Sequence, residues 1–484
     1  MQRQRAFVFV RFVILAIASW IAVDSAACRA TAAELAEALD AVLDATPAAQ
    51  RSTITLKVVD LQSGGTLYDR GGAKLLVPAS NLKMYTAACA LDLFGPEHQF
   101  ETKLQARGKF ADGVLTGDIV LVGGGDAMFT HEDLAALVQQ AVKRWDLREL
   151  HGRVRVDNSR YGSPLKGPGW MWDDDPDYYN MSVTPLMVDF NVLTARLAPK
   201  PGGAATLQFQ PPSVAPPVRI EEVTSGVQVD ITRLPFTETI VGRAPAGEFE
   251  AVEKQLTMHD PGPWAAGLVR TALEGAGVRV AKLPAAGTEG DKDGGGESLP
   301  IVDEIRHPAL PLIVTLKHFL NVSENAVGEV LLHEIAIRRG VERPRWRDGA
   351  GAITDWLLNT AGLEEGSFRL VDGSGLSRYN LITGDSAVAL LAFMRGHKYA
   401  DEFFAALTKY ALDDVTDADE GVVIAAKSGG MTSVSTISGY VYTRGGRMVA
   451  FSLLANGFIG SNKPILALRQ KVWRTLAEWA PNEG

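Results

Sequence analysis

Hydrophobic and polar positions form recognisable patterns near both ends of the chain. Near the start, apolar residues at helical spacing follow a Thr-Glu capping box and predict a helix over residues 31–46. Residues 53–59 and 67–68 flank a glycine-containing turn and predict a β-hairpin. Near the end, the pattern predicts three strands and a closing helix, at about 422–427, 436–443, 447–455 and 464–479. We expect both ends of the chain to lie in a single sheet.

The middle of the chain carries a different pattern. Between about 98 and 300, short β-like stretches dominate, and two helices are predicted at 132–145 and 262–276. Residues 285–297 have no apolar periodicity and predict a loop. Helical periodicity returns after residue 305, at about 309–320, 325–339, 350–361 and 383–395. This order predicts one α/β domain that a long insertion divides.

The first 30 residues have the pattern of a secretory signal peptide. Three arginines precede an apolar run from Phe12 to Val23, and small residues follow it. The run is shorter than the roughly 20 residues that a membrane-spanning helix needs. We expect export, with cleavage between Ala27 and Ala33. Whether Cys28 carries a lipid, and whether the protein associates loosely with the membrane, is left open.

Composition and charge fit an exported globular protein. The formal net charge of −9 argues against a nucleic-acid partner, because such partners select for a basic surface. The length of 484 residues predicts two or three domains. Removal of the signal peptide would leave Cys89, in an apolar run, as a buried and inert thiol. The sequence holds no His-Glu-x-x-His motif, and we expect neither a metal nor a cofactor.

Three short motifs carry the candidate chemistry: Ser80-Asn81-Leu82-Lys83, Ser323-Glu324-Asn325 and Lys427-Ser428-Gly429. In this order they are known from serine β-lactamases and penicillin-binding proteins. A serine hydroxyl is a weak nucleophile until a neighbouring base takes its proton. Residues three apart on a helix share a face, so Lys83 is expected within reach of Ser80. Burial, a second cation and a helix N-terminus can each lower the pKa of a lysine enough to make it that base.

The second motif suits the transfer of a proton to a leaving amine. Ser323 can relay a proton from Lys83 to the leaving nitrogen. Asn325 offers both a donor and an acceptor to a peptide amide. We therefore expect Ser323 and Asn325 to be catalytic together with the first motif.

The third motif suits the binding of an anion on a strand. Lys427 and the Ser428 hydroxyl, with Gly429 beside them, would hold a terminal carboxylate of a peptide. The backbone N–H groups of Ser80 and Gly430 are candidate oxyanion donors. A second Ser-x-x-Lys sequence, from Ser163 to Lys166, contains a proline and is flanked by glycines, so we expect no helix to hold that pair together.

The chain resembles the class C low-molecular-mass penicillin-binding proteins, the D-alanyl-D-alanine carboxypeptidase/endopeptidase family. Besides the three motifs, the likeness lies in a glycine-rich segment, a later loop and the closing hairpin, at 117–126, 372–378, 438–440 and 451–456. About 240 residues separate Ser80 from Ser323, a longer interval than in compact β-lactamases. The likeness runs from about residue 35 to 480.

The resemblance implies a fold. We expect an α/β (α+β) serine β-lactamase/penicillin-binding-like domain, with an antiparallel sheet, helices on both faces and a helical subdomain. Residues 31–97 and 302–484 would form this catalytic domain, and 98–301 would form a β-rich inserted region. Class C members nest a further domain in the inserted one. We expect the outer inserted domain at about 98–124 with 210–301, and the nested one at 125–209.

The resemblance also implies an activity. We expect a periplasmic serine D-Ala-D-Ala carboxypeptidase and/or D,D-endopeptidase that acts on peptidoglycan stem peptides through a Ser80 acyl-enzyme. β-Lactam antibiotics would inhibit it covalently. A β-lactamase and a catalytically idle cell-wall scaffold are the alternatives. The balance of the two peptidase activities, the role of the inserted domains and the oligomeric state are left open.

Some residues depart from the family pattern or stand outside it. Glu324 and Ser428 replace a common aspartate and threonine, and Gly430 replaces a serine or threonine that would contact the substrate carboxylate. Four aromatic residues of the inserted region lie beside a run of aspartates and could line a sugar-binding surface: Trp170, Trp172, Tyr178 and Tyr179. We expect them to form a buried cluster instead.

Overall fold

The computed structural model describes residues 31–200, 205–213, 215–224, 228–281, 299–413 and 421–480. The predicted signal peptide and the loop predicted at 285–297 lie outside the described residues. The chain divides into two compact units. The first holds the described residues of 1–76, 383–395 and 409–484, and the second those of 77–382 and 396–408.

The helices of the described residues begin and end close to the predicted positions, except for the unpredicted short α9. In the Thr31 capping box that starts the first helix, the hydroxyl accepts the N–H of Glu34, and the Glu34 carboxylate accepts the N–H of Thr31. The helices are α1 (Ala32–Asp44), α2 (Lys83–Phe94), α3 (His131–Trp145), α4 (Pro261–Gly275), α5 (Leu312–Asn321), α6 (Asn325–Arg338), α7 (Trp346–Asn359), α8 (Gly384–Arg395), α9 (Ala400–Ala406) and α10 (Lys463–Glu478). Within these ranges, no helix has both the length and the apolar composition that crossing a bilayer requires.

The strands of the described residues are concentrated in the inserted region and at the two chain ends, as predicted. They are β1 (Thr53–Asp60), β2 (Thr66–Arg70), β3 (Glu101–Ala111), β4 (Val114–Val122), β5 (Glu149–His151), β6 (Val154–Asp157), β7 (Val192–Ala198), β8 (Thr206–Gln210), β9 (Val218–Val223), β10 (Asp230–Arg233), β11 (Ile240–Pro245), β12 (Val252–Thr257), β13 (Arg279–Val280), β14 (Ile301–Pro308), β15 (Phe368–Arg369), β16 (Leu381–Ile382), β17 (Thr408–Tyr410), β18 (Val423–Met431), β19 (Val434–Tyr442) and β20 (Met448–Asn456).

The first unit is built around one antiparallel sheet in the order β18-β19-β20-β1-β2. The end of β17 that belongs to this unit lies beside β18. Leu56 of β1 stands opposite Leu453 of β20, so the first and last strands of the chain are neighbours. The predicted sheet that joins both chain ends is therefore confirmed.

Helices cover both faces of this sheet. On one face, leucines of α1 and α10 form a single core with alternate strand residues such as Leu56 and Val58. On the other face α8 packs against β1, β19 and β20, and the Tyr440 hydroxyl donates to the carbonyl of Leu391 at 2.8 Å. The alternation of strand side chains thus provides two apolar surfaces, each of which needs a helix to cover it.

The helical part of the second unit surrounds α2. This helix packs against α5, α6 and α7, and its residues from Lys83 to Leu91 are all buried. A short turn of 3₁₀ helix, Ala79–Leu82, precedes it. The helix predicted near Pro78 therefore starts as a tighter turn, and the α-helix proper begins at Lys83.

The described residues of the inserted part of the second unit form three sheets. The largest has the order β13-β5-β4-β3-β14, with β6 also paired to β4, and α3 and α4 bury leucines against it. Two three-stranded sheets follow, β12-β7-β8 and β10-β11-β9. The predicted β-rich texture of residues 98–301 is confirmed by these sheets.

The expected domain boundaries inside the insertion do not coincide with the sheets. β4 pairs in parallel with β5 and β6, so the largest sheet crosses the expected boundary at 124/125. β7 pairs with β12, so another sheet crosses the boundary at 209/210. β14, which begins at Ile301, pairs with β3 and belongs to the inserted sheet. The division into an outer and a nested domain stays a prediction.

Candidate active site

Ser80 and Lys83 of the first motif are brought together by the turn that leads into α2. Ser80 lies within the 3₁₀ turn, and Lys83 is the first residue of the α-helix. Lys83 Nζ lies 3.0 Å from Ser80 Oγ. Ala79 has a φ of 47°, a left-handed conformation that a side chain makes unfavourable. The lysine is fully buried, whereas Ser80 is half-buried and can meet a substrate.

Asn325 of the second motif contacts the same lysine. Lys83 Nζ donates to Asn325 Oδ1 at 2.7 Å and to the carbonyl oxygen of Ser374 at 2.8 Å. The Asn325 amide nitrogen in turn donates to the carbonyl of Tyr179 at 2.9 Å. Asn325 is the first residue of α6, and Ser323 before it has a left-handed φ of 68°. The Glu324 carboxylate caps α6 by accepting the N–H of Ala326 at 3.1 Å.

Burial makes the neutral form of Lys83 accessible. Burial lowers the pKa of Lys83 to about 8, and the carboxylates of Glu329, Asp372 and Glu324 oppose this shift. Two of its hydrogen-bond partners, Asn325 Oδ1 and the Ser374 carbonyl, are neutral acceptors. A lysine in this state can accept a proton near neutral pH.

A buried glutamate of α6 supports the site and was missed by the sequence reasoning. Glu329 accepts the N–H groups of Gly373 and Ser374 at 2.8 and 2.9 Å. It therefore fixes the segment whose Ser374 carbonyl holds Lys83. Burial and the nearby Asp372 carboxylate raise the pKa of Glu329 above its usual range. A signal was present, because Glu329 stands one helical turn after Asn325 in a helix that is otherwise mostly apolar from Ala326 to Leu332.

The loop that follows is held by a second buried carboxylate. Asp372 accepts the N–H groups of Gly375 and Ser377, at 2.9 and 2.6 Å, and the side-chain N–H of Asn380 at 2.7 Å. The loop at 372–378, one of the segments that carry the family likeness, lies at the site, because its Ser374 carbonyl accepts from Lys83. The side chains of the two serines of the loop accept nearby N–H groups, those of Leu376 and Tyr379, each at 3.2 Å.

The third motif lies in the first unit. Lys427, Ser428, Gly429 and Gly430 all belong to β18, which confirms that the motif occurs on a strand. Lys427 is buried, and its Nζ donates to the carbonyl of Ser428 at 2.8 Å. The Tyr410 hydroxyl donates to Ser428 Oγ at 3.0 Å. The structure thus groups Ser80, Lys83 and the second motif in one unit and the third motif in the other.

Two other sequence features were weighed as sites: the second Ser-x-x-Lys sequence and the aromatic residues of the inserted region. Lys166 of the second Ser-x-x-Lys sequence donates to the carbonyl of Asn180, and no helix joins it to Ser163. The expected buried aromatic cluster is wrong. Trp172 is 68% exposed and stacks on Phe236, and Tyr178 is 48% exposed, because both lie at the surface of the inserted region. Trp170 and Tyr179 are only partly buried.

Comparison with known proteins decides the family. The model of the D-Ala-D-Ala carboxypeptidase 3 (S13) family matches residues 35–476. The chain belongs to the D-Ala-D-Ala carboxypeptidase 3 (S13) family. This S13 protein is 30% identical to a D-alanyl-D-alanine carboxypeptidase of Actinomadura sp. (strain R39), over 95% of this chain and 87% of that protein. It is 23% identical to the D-alanyl-D-alanine carboxypeptidase DacB of Haemophilus influenzae, over 81% of this chain and 82% of that protein.

Solved structures confirm the fold of the S13 protein. The crystal structure of penicillin binding protein 4 (dacB) from Haemophilus influenzae matches with a TM-score of 0.76 at 20% identity, over 91% of this chain and 99% of that one. The same protein complexed with a β-lactam matches with a TM-score of 0.69. The expected penicillin-binding-like fold is thus confirmed, and the S13 protein is a serine-type D-Ala-D-Ala carboxypeptidase/endopeptidase. The β-lactamase and scaffold alternatives are not supported by this membership.

Proposed function

We propose that Ser80 is the nucleophile of this peptidase and that Lys83 is the base that activates it. The observation that carries the proposal is the 3.0 Å contact between Ser80 Oγ and the Nζ of a lysine that is fully buried. Neutral Lys83 takes the hydroxyl proton, and Ser80 Oγ attacks the carbonyl carbon of the penultimate D-alanine. The C–N bond breaks, the ester to Ser80 forms, and the proton passes to the leaving amine.

The second motif serves the proton transfers of this cycle. Ser323 relays the proton from Lys83 to the leaving nitrogen, and Asn325 holds Lys83 and a substrate amide. Water then attacks the ester carbonyl carbon, and Lys83 takes the proton of the water. The C–O bond to Ser80 breaks, Lys83 returns the proton to Ser80 Oγ, and the acid product leaves. Support comes from the 2.7 Å bond between Lys83 Nζ and Asn325 Oδ1, which orients the lysine.

The third motif binds the C-terminal carboxylate of the substrate in this proposal. Lys427 supplies the positive charge, Ser428 a hydroxyl, and Gly429 a close approach of the backbone. The backbone N–H groups of Ser80 and Gly430 stabilise the oxyanion. Support for an ordered Ser428 comes from the Tyr410 hydroxyl, which donates to it at 3.0 Å.

The substrate we propose is the stem peptide of peptidoglycan, cut at D-Ala-D-Xaa bonds. The names of both relatives above support the D-alanyl specificity. One acyl-enzyme serves carboxypeptidase cleavage of a chain end and endopeptidase cleavage of a cross-link, because the carbonyl group attacked is the same. The proposed location is the periplasm, reached through the signal peptide of residues 1–30. β-Lactams would acylate Ser80, as the β-lactam complex of the Haemophilus protein suggests.

Intact mass spectrometry after penicillin treatment tests the proposal. We expect one penicilloyl adduct on the wild type and on Ser163→Ala, and none on Ser80→Ala. Ser163→Ala is the matched control, since it removes the serine of the second Ser-x-x-Lys sequence. An adduct that survives in Ser80→Ala would move the nucleophile elsewhere. Rapid turnover of penicillin without an adduct would indicate a β-lactamase.

A further inference from the structure

A cleft of about 1090 Å³ in the second unit lies beside the second motif. Val322 and Glu324, the two neighbours of Ser323, line it. Its volume is at the upper end of the range for small-molecule sites and exceeds what one amino-acid side chain fills. None of the groups that hydrogen-bond to Lys83 Nζ lines the cleft, so the cleft lies beside the acylation site and does not contain it.

A row of neutral polar side chains crosses one wall of the cleft. Gln255 of β12 stands opposite Thr194 of β7, and Thr194 stands opposite Gln210 of β8. All three line the cleft, whereas Leu193 and Leu256, which alternate with them, are buried in the core on the other face of the sheet. The two glutamines are exposed, and no hydrogen bond joins either side chain to another described residue. The two glutamines offer amide donors and acceptors on the outer strands, and Thr194 adds a hydroxyl on the strand between them.

Aromatic rings provide the apolar part of the cleft. Tyr178 is half exposed, and Phe190 is partly exposed. Phe190 stacks on His318 with ring centroids 5.8 Å apart and an interplanar angle of 12°. Ring faces of this kind pack against flat apolar surfaces, including the C–H faces of sugar rings.

The charges of the cleft do not favour an anionic ligand. Neither lysine nor arginine occurs among the described residues that line it. Its two carboxylates already have partners, since Asp189 contacts His131 Nδ1 at 2.9 Å and Glu324 caps α6. The groups left for a ligand are therefore neutral amides, hydroxyls and rings. This set matches a neutral molecule that combines hydroxyl and amide groups with apolar ring faces.

We infer that the cleft binds the N-acetylated glycan to which the stem peptide is attached. The inference rests on the proposed function, because a peptidoglycan stem peptide arrives joined to such a glycan. The glutamine row would hydrogen-bond the N-acetyl and hydroxyl groups, and the aromatic rings would pack on the sugar faces. Binding beside Ser323 would let the glycan place the peptide toward the acylation site, so that the enzyme favours substrates that still carry their sugars.

Calorimetric titration with an N-acetylglucosamine tetramer tests the binding directly. We expect the wild type to bind, and Gln210→Ala/Gln255→Ala to bind about tenfold more weakly, as the loss of two hydrogen bonds predicts. Gln140→Ala, which removes an exposed glutamine of α3 outside the cleft, is the matched control and should bind as the wild type does. No binding by the wild type, or equal binding by the double variant, overturns the inference. Binding of a tri-lysine peptide in place of the tetramer would also overturn it.

Kinetics with two substrates separates this inference from the proposed function. A disaccharide-linked pentapeptide should show a lower KM than the same pentapeptide without sugars, and the double variant should remove that difference while leaving kcat unchanged. If the variant slows both substrates equally, the glutamine row has a structural role and the inference fails. If the wild type cleaves neither substrate, the proposed function fails, and the titration still decides whether the cleft binds glycan.

Discussion

Lys83 shows how burial sets the working pH at the scale of one residue. Because burial lowers the pKa of Lys83 to about 8, the base form grows as the pH rises through 8. We predict that the rate constant for acylation by penicillin rises about tenfold per pH unit below this midpoint and levels off above it. Stopped-flow measurement between about pH 6 and 10 gives the profile. Lys83→Arg stays charged throughout and should lose about 10²–10⁴-fold in rate without showing the rise. A flat wild-type profile would contradict Lys83 as the base.

Glu329 acts on the same lysine through charge and through the backbone that it holds. Three carboxylates face Lys83, those of Glu329, Asp372 and Glu324, and each favours its protonated form. The pKa of Glu329 is itself raised by burial, so this group carries its negative charge in the upper part of the pH range. Glu329→Gln removes that charge, and the pKa of Lys83 should therefore fall further. We therefore predict that the rise in acylation rate moves to lower pH. The substitution should also cost about 1–3 kcal/mol of unfolding free energy, because one of the two backbone N–H donors loses its acceptor.

Substitution of a second glutamate of α6, Glu334, is a control for Glu329→Gln. It shows whether a shift of the acylation profile comes from the lost charge or from lower stability. Glu334 is buried and pairs with Arg160 at 2.6 Å and with the Tyr161 hydroxyl at 2.8 Å. Glu334→Gln should lower the unfolding free energy by about 3 kcal/mol or more. It should leave the midpoint of the acylation profile in place, because Glu334 is not among the groups that shift Lys83. Equal midpoint shifts in both variants would show that loss of stability, and not charge, moves the profile.

At the scale of an element, the conformation of the loop 372–377 requires glycine at position 375. A larger residue there would push the loop away from the segment that carries Ser80. Gly375 has a φ of 87°, and an added Cβ would collide with the carbonyl oxygen of Ala79, the residue before Ser80. We predict that Gly375→Ala slows penicillin acylation at least tenfold and lowers the melting temperature. Gly366 shares the positive φ, at 82°, but has open space around its Cβ position. Gly366→Ala should therefore lose about 1–2 kcal/mol of stability and keep its acylation rate.

Local patterns predicted most elements, and the exceptions have physical causes. The start of α1 was readable because its capping box and leucine stripe act within one helix. Ser80 and Lys83 were predictable because three residues of a helical turn fix their proximity. Glu329 was missed, since its importance depends on Gly373 and Ser374, which lie more than 40 residues further along the chain. The Gln255–Thr194–Gln210 row was missed for the same reason, because strand register across three strands is a tertiary property.

At the scale of the whole molecule, sheet pairing decides which segments belong together. The sheet of the first unit could be expected because both chain ends show the pattern of strands next to a helix. The strands of each end have an apolar face that a helix must cover. The inner boundaries of the insertion could not, because β4 pairs with β5 and β6 beyond the intervening helix α3. A parallel neighbour of this kind needs a long connection, and the sequence near residue 124 gives no sign of where the partner strand lies.

The reactivity of Cys89 reports whether the whole molecule is folded, and the number of thiols per chain reports whether Cys28 has been removed or modified. Cys89 lies in the buried part of α2, and burial raises the pKa of its thiol well above the ordinary value, so a thiol reagent should not react with the native protein. We predict one reactive thiol per chain when the exported protein is unfolded in guanidinium, and none under native conditions. The reason for a single thiol is that cleavage of the signal peptide after Cys28, or lipidation of Cys28, removes the other. Two thiols after unfolding would show that Cys28 is retained and free. Intact mass distinguishes the remaining cases, because a lipid adds mass and cleavage beyond Cys28 removes it.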